Sequence, residues 1–172
     1  LARFLQIDPL QVLLTKDNLG RPILDTASMS AFPAANSLDF SYSHSEHLFV
    51  LGVMQTGRIG VDLEIVRPEN AIPPADCREL SPFEKDWLLA LPRRNQISAF
   101  FHCWTAKEAL LKALGLGVSF GMNQIEIARD PAGRYSLSKI ANSRQLAADW
   151  SLEHRRVKAG ETSAIIAVAW AS

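Results

Sequence analysis

Cysteine is scarce: Cys77 and Cys103 are the two present in 172 residues, too few and too far apart for a zinc cage or a disulfide framework. They read as free thiols of a reducing, cytoplasmic setting. Net charge is lacking too, with eighteen Lys and Arg against eighteen Asp and Glu, so no global field draws the chain to nucleic acid or to an anionic membrane. No uninterrupted apolar run reaches the roughly 18 residues of a spanning helix. Leu1 to Leu14 lacks the charged start, apolar middle and small-residue cleavage site of a secretory leader. Tandem repeats and low-complexity tracts are absent. An initiating Met is missing as well, and with an apolar, helix-like opening at Leu1, Phe4 and Leu5 the chain is expected to begin partway through a longer protein.

What is present is a hydrophobic fraction of 48%, enough for one substantial core. The segment to Val12 reads as the tail of a helix, and Asn18 to Pro22 as a turn. Leu38–Ser43, Leu48–Met54 and Arg58–Ile65 have strand character, with a hairpin turn at Gln55-Thr56-Gly57. Three prolines between Arg67 and Asp76 mark a connector. Ser81-Pro82-Phe83-Glu84 fits a capping box with proline at the first helical position, and Pro92 stops that helix. A second helix is expected from about Gln96 to Leu114, ending at Gly115. Beyond it, strands are expected at Gln124–Ala128, Tyr135–Leu137, Asp149–His154 and Ser163–Trp170, the last apolar enough to be central. The pattern is α+β, divided into residues 1–66, a linker at 67–76 and residues 77–172.

Three groups of residues can carry chemistry. In Gly60-Val61-Asp62-Leu63-Glu64-Ile65 the two-residue strand period puts Asp62 and Glu64 on one face. Such a pair suits a hard cation with oxygen ligands, and equally an ordinary strand with acids facing water. On the helix from Phe101 to Lys112, an apolar stripe of Ile97, Phe100, Phe101, Trp104, Leu111 and Gly115 includes Glu108. A carboxylate aimed at the interior needs a cation or a strong donor. Lys112, four residues on, could instead form a surface ion pair with it. Ser41 to Ser45, containing His44, is a polar cluster that could contact phosphate or simply be a solvated turn. Glu84 is accounted for by capping, and Trp87, Trp150 and Trp170 by packing.

In order and combination these elements resemble the 4′-phosphopantetheinyl transferase superfamily. Gly20-Arg21-Pro22, Ser43-His44-Ser45, Gly60-Val61-Asp62-Leu63-Glu64 and Trp104 to Lys112 match that family's motifs in series, and the likeness runs from about Gly20 to Gly117. Because a strand-rich half precedes Asp62, the chain is similar to the long, pseudo-dimeric type. That implies two similar α/β halves related by a pseudo-twofold with the active site between them, acting as a monomer.

The resemblance implies Mg2+-dependent transfer of phosphopantetheine from coenzyme A to a serine of an apo acyl or peptidyl carrier protein, releasing adenosine 3′,5′-bisphosphate. Asp62, Glu64 and Glu108 match metal ligands, Glu108 also a proton acceptor, and Lys112 a residue that steadies phosphate charge. His44 and Ser43 match contacts to the coenzyme A phosphates, His44 also easing departure of the bisphosphate, and Arg21 and Pro22 match the lining of the adenine and 3′-phosphate pocket. Arg21 replaces a frequent lysine and keeps its charge. The alternatives are another Mg2+-dependent enzyme acting on a pyrophosphate substrate and a non-catalytic coenzyme A-binding module. Carriers being acidic, Arg93 and Arg94 with Leu114 to Val118 are a candidate docking surface.

Overall fold

The computed structural model describes residues 1–117, 120–141, 147–160 and 162–171. The chain opens with a four-residue helix α1 (Ala2–Leu5), a 3-10 turn at Pro9–Gln11 and a small antiparallel pair, β1 (Leu14–Lys16) with β2 (Pro22–Leu24). The expected turn at 18–22 lies between these strands. A second pair follows, β3 (Leu38–Ser45) with β4 (Leu48–Gln55), and then β5 (Arg58–Ile65). Thr56 and Gly57 take positive φ in the turn between β4 and β5, but the two strands belong to different sheets, so the expected hairpin is not formed. Helices α2 (Pro82–Ala90) and α3 (Arg93–Leu114) lead to a hairpin of β6 (Ile125–Arg129) and β7 (Tyr135–Ile140), then to β8 (Ser151–Ala159) and β9 (Thr162–Ala171). β9 lies between β5 and β8, antiparallel to both, as its apolar sequence requires. The architecture is α+β.

The capping box at α2 forms as its sequence dictates, with the Ser81 side chain accepting from the Glu84 N–H and the Glu84 carboxylate accepting from the Ser81 N–H. α3 ends at Gly115 in the left-handed region, φ 68°.

Its buried face is wider than the expected stripe: Phe100, Phe101 and Leu111 are buried as expected, but other residues are buried beside them. Cys103, Ala106, Lys107, Ala109, Leu110 and Ala113 are wholly buried, whereas Trp104 and Glu108 are partly exposed. Small side chains let the helix approach β5 and β9 closely, so alanines rather than the bulkiest residues mark the contact. At Gly60 a Cβ would lie 1.9 Å from the Ala109 carbonyl oxygen and 2.5 Å from the Ala113 nitrogen. Gly60→Ala is therefore expected to cost about 2–3 kcal/mol, because the obstacle is backbone that no rotamer change relieves. Urea denaturation measures it.

The polar run on β3 is explained by a junction between strands. Asp39, Ser41 and Ser45 accept the backbone N–H groups of Ile59, Val61 and Ile65 at 2.8, 3.1 and 3.4 Å. Side chains thus satisfy the β5 edge that does not pair with β9. The other face of β3 carries Phe40, packed with Leu5, Leu24, Met29 and Ala35, and the exposed Tyr42, stacked on Phe49 at 5.8 Å.

Candidate active site

β5 presents Gly60, Asp62 and Glu64 toward α3, and α3 presents Glu108 and Lys112 toward β5. Lys112 Nζ donates to Asp62 Oδ1 at 2.8 Å and to the Val61 carbonyl at 3.1 Å. The surface pair that the four-residue spacing of Glu108 and Lys112 would allow is not formed; the lysine crosses to the strand. Ser43 donates to the same Asp62 oxygen at 2.9 Å, and Ser45 to Glu64 at 3.3 Å. Asp62 Oδ2 is buried with no hydrogen-bond partner, and Glu108 has none among the described residues.

Burial first, and the Asp62 charge second, raise the pKa of both Glu64 and Glu108 above the ordinary glutamate value of 4.5, with Lys112 opposing. The site is therefore short of positive charge.

Among the described residues no three His, Cys, Asp or Glu side chains are arranged to hold one metal ion; a lysine ammonium occupies one side of Asp62. The donor chemistry nonetheless fits a hard divalent cation: three neighbouring carboxylates, one with an open buried oxygen.

A cleft of about 380 Å³ adjoins this cluster. Glu108 and Lys112 line one part of it, Arg21, Pro22, Tyr42 and the Gly115-Leu116-Gly117 loop the rest. Arg21 is held by Asp39 through Nη2 at 2.8 Å, and that nitrogen also donates to the Phe40 and Ile59 carbonyls at 3.0 Å each. Its Nη1 is buried without a partner. Asp39, which aims Arg21 and binds the Ile59 amide, is absent from the motifs read in the sequence; its one signal there is the two-residue register with Ser41.

The other expected residues separate. Ser43 is buried on Asp62 and does not line the cleft, while His44 points from the opposite face of β3 and is exposed. Arg93 and Arg94 are exposed at the start of α3, and Leu114 to Gly117 lie at and past its other end. A 22-residue helix spans about 33 Å, so the proposed docking set does not form one surface; Val118 lies outside the described residues.

Two buried clusters escape the sequence pattern. Glu84, which caps α2, is also ion-paired with Lys107, and both side chains are 0% exposed. A separate cluster stacks His102 on Tyr135 at 4.9 Å, with His154 against both. Burial, then His154, drives the pKa of His102 down to about 3, so it is a neutral packing group at physiological pH.

The 4′-phosphopantetheinyl transferase superfamily model matches residues 58–169. The chain is 36% identical over 152 residues to the 4′-phosphopantetheinyl transferase HetI of Nostoc sp. strain PCC 7120, covering 88% of this chain and 59% of that protein. It is 29% identical over 128 residues to the transferase psf-1 of Bacillus pumilus, covering 74% of this chain and 50% of that protein. The chain thus spans about half the length of the curated relatives it matches. Among solved structures, a Plasmodium yoelii acyl carrier protein synthase with ADP bound superposes with a TM-score of 0.50 at 26% identity, covering 66% of this chain and 93% of that one. Strand and helix motifs, the cleft between them and a match over most of the chain agree: this chain belongs to the 4′-phosphopantetheinyl transferase superfamily.

Proposed function

We propose that the protein transfers the phosphopantetheine group of coenzyme A to a serine hydroxyl of an apo carrier protein. The observation that carries this reading is the cleft itself, which has an unpartnered buried guanidinium nitrogen on Arg21 and a Glu108–Lys112–Asp62 cluster at its other side. Anionic phosphate suits the Arg21 end directly, and the acidic end once a cation is held there. Arg21 and Pro22, with the glycine loop, would seat the nucleotide portion, and Ser43 would act through Asp62. His44 would need to be reached by substrate from the solvent side of β3.

Glu108 would accept the serine proton; burial and the Asp62 charge raise its pKa, which makes it a stronger base than an exposed glutamate. The serine oxygen then bonds to the β-phosphorus, the bond from that phosphorus to the bridging oxygen breaks, and adenosine 3′,5′-bisphosphate departs with the electron pair. Lys112 would offset charge growing on the phosphoryl oxygens. Asp62, Glu64 and Glu108 would hold Mg2+, which supplies further positive charge to the pyrophosphate. The protein would work as a monomer in the cytoplasm; the two buried free thiols suit a reducing compartment, and no described helix is long and apolar enough to cross a membrane.

The test is mass spectrometry of several apo carriers incubated with the protein, Mg2+ and coenzyme A. A gain of one phosphopantetheine on a carrier is expected. Coenzyme A consumed without a carrier would favour a hydrolytic enzyme, and binding without turnover a non-catalytic module. In the same assay Arg21→Ala is expected to raise the KM for coenzyme A by about tenfold, the worth of a charge-assisted phosphate contact, with a smaller effect on kcat.

A further inference from the structure

The residue just before Glu108 is the most deeply buried cation of the described chain. Lys107 Nζ donates to the Glu84 carboxylate, to the Glu79 carbonyl at 2.7 Å and to the Met122 carbonyl at 3.0 Å. Glu84 in turn accepts the Ser81 N–H at 2.8 Å and the Ile127 N–H at 2.7 Å. All three ammonium protons and both carboxylate oxygens are therefore engaged. A pair this buried contributes little net stability, because lost hydration offsets the mutual attraction and an apolar pair of similar volume serves as well.

What the pair supplies is direction. Lys107 is tied directly to three points outside α3, namely Glu84 at the start of α2, Glu79 on the approach to that helix and Met122 in the turn at Met122–Gln124, and through Glu84 to β6 as well. On another side of the helix, Ala109 and Ala113 abut Gly60 with no room for a methyl group. A helix bolted on one side and wedged against backbone on another cannot roll. Roll is what matters, since each residue is set about 100° from the next, and any rotation at Lys107 is passed directly to Glu108 and, one turn on, to Lys112.

We propose that the buried Glu84–Lys107 pair is a positioning device that sets the roll of α3 and so holds Glu108 and Lys112 over Asp62. This rests on the reading of Glu108 and Lys112 as the transfer groups.

The decisive variant is Glu84→Gln with Lys107→Met, which removes both charges together and leaves an acceptor for the Ile127 amide. It is expected to melt within a few degrees of the parent and to lose about 30- to 100-fold in kcat, the scale of a misplacement near 1 Å, with the KM for coenzyme A changed less than about threefold. Amide hydrogen exchange over residues 104–112 should quicken at least about tenfold while β9 amides keep their protection. Parental kcat with unchanged exchange overturns the proposal. So does failure of the double variant to fold, which would make the pair a source of stability. If the parent transfers nothing to any carrier, the functional reading fails by itself, and the exchange pattern still decides whether the pair fixes the helix.

Discussion

Glu108→Gln is expected to lower kcat for carrier modification by about 10³-fold, the usual worth of a positioned general base. Glutamine keeps the shape and the contacts of the helix but cannot take a proton from serine. The KM for coenzyme A should move little, because Arg21 and its support from Asp39 are untouched. Stability should move the other way. A carboxyl whose folded-state pKa is raised favours the native state while protonated; that contribution is complete below the ordinary value of 4.5 and is lost as pH rises through the folded value. The parent, free of divalent cations, should therefore lose stability with rising pH across that window. Glu108→Gln should flatten part of the slope and be the more stable protein at pH 7. Urea denaturation over a pH series measures the second effect, steady-state transfer the first. A variant that transfers at the parental rate would remove Glu108 from the chemistry.

This opposition of activity and stability also explains how much of the site could be read from sequence. Asp62 and Glu64 were legible because a strand's two-residue period fixes which side chains share a face, whatever the rest of the chain does. The strands β3, β4 and β5, the capped α2, the glycine end of α3 and the central β9 were legible for similar local reasons. The face of α3 was legible only in part. The large hydrophobes Phe100, Phe101 and Leu111 are buried as the stripe predicts, but it also ran through the partly exposed Trp104 and Glu108 and missed Cys103, Ala106, Ala109, Leu110 and Ala113, most of them small. The error concealed Lys107, a charge inside the true buried face whose partner Glu84 stands 23 positions away. Pairing at that range leaves no periodic trace. Likewise Ser41 and Ser45 looked like a phosphate-facing cluster, and they are acceptors for the amide edge of β5. A polar side chain replacing a backbone ladder cannot be told from a ligand-binding one until the neighbouring strand is known.

Asp62→Asn is expected to reduce transfer by at least about 10²-fold and to abolish any stabilisation by Mg2+. The amide side chain would keep an oxygen for Ser43 and Lys112, so the fold should survive; what disappears is the negative charge beside the unpartnered Oδ2. In the parent, Mg2+ at about 100 times its dissociation constant should add about 2.7 kcal/mol to the unfolding free energy, because the proposed site would exist in the native arrangement and not among the separated carboxylates of the unfolded chain. That increment should grow as pH rises, because Glu64 and Glu108 must shed protons from raised pKa values before they can serve a cation. Lys112 gives the experiment its sharpest contrast. With the ion absent its ammonium supplies the positive charge at Asp62, so Lys112→Met should weaken the metal-free protein and leave the gain from Mg2+ larger than in the parent. Mg2+ raising the melting temperature of Asp62→Asn as much as that of the parent would place any bound ion elsewhere and leave Asp62 as a structural partner of Lys112 alone.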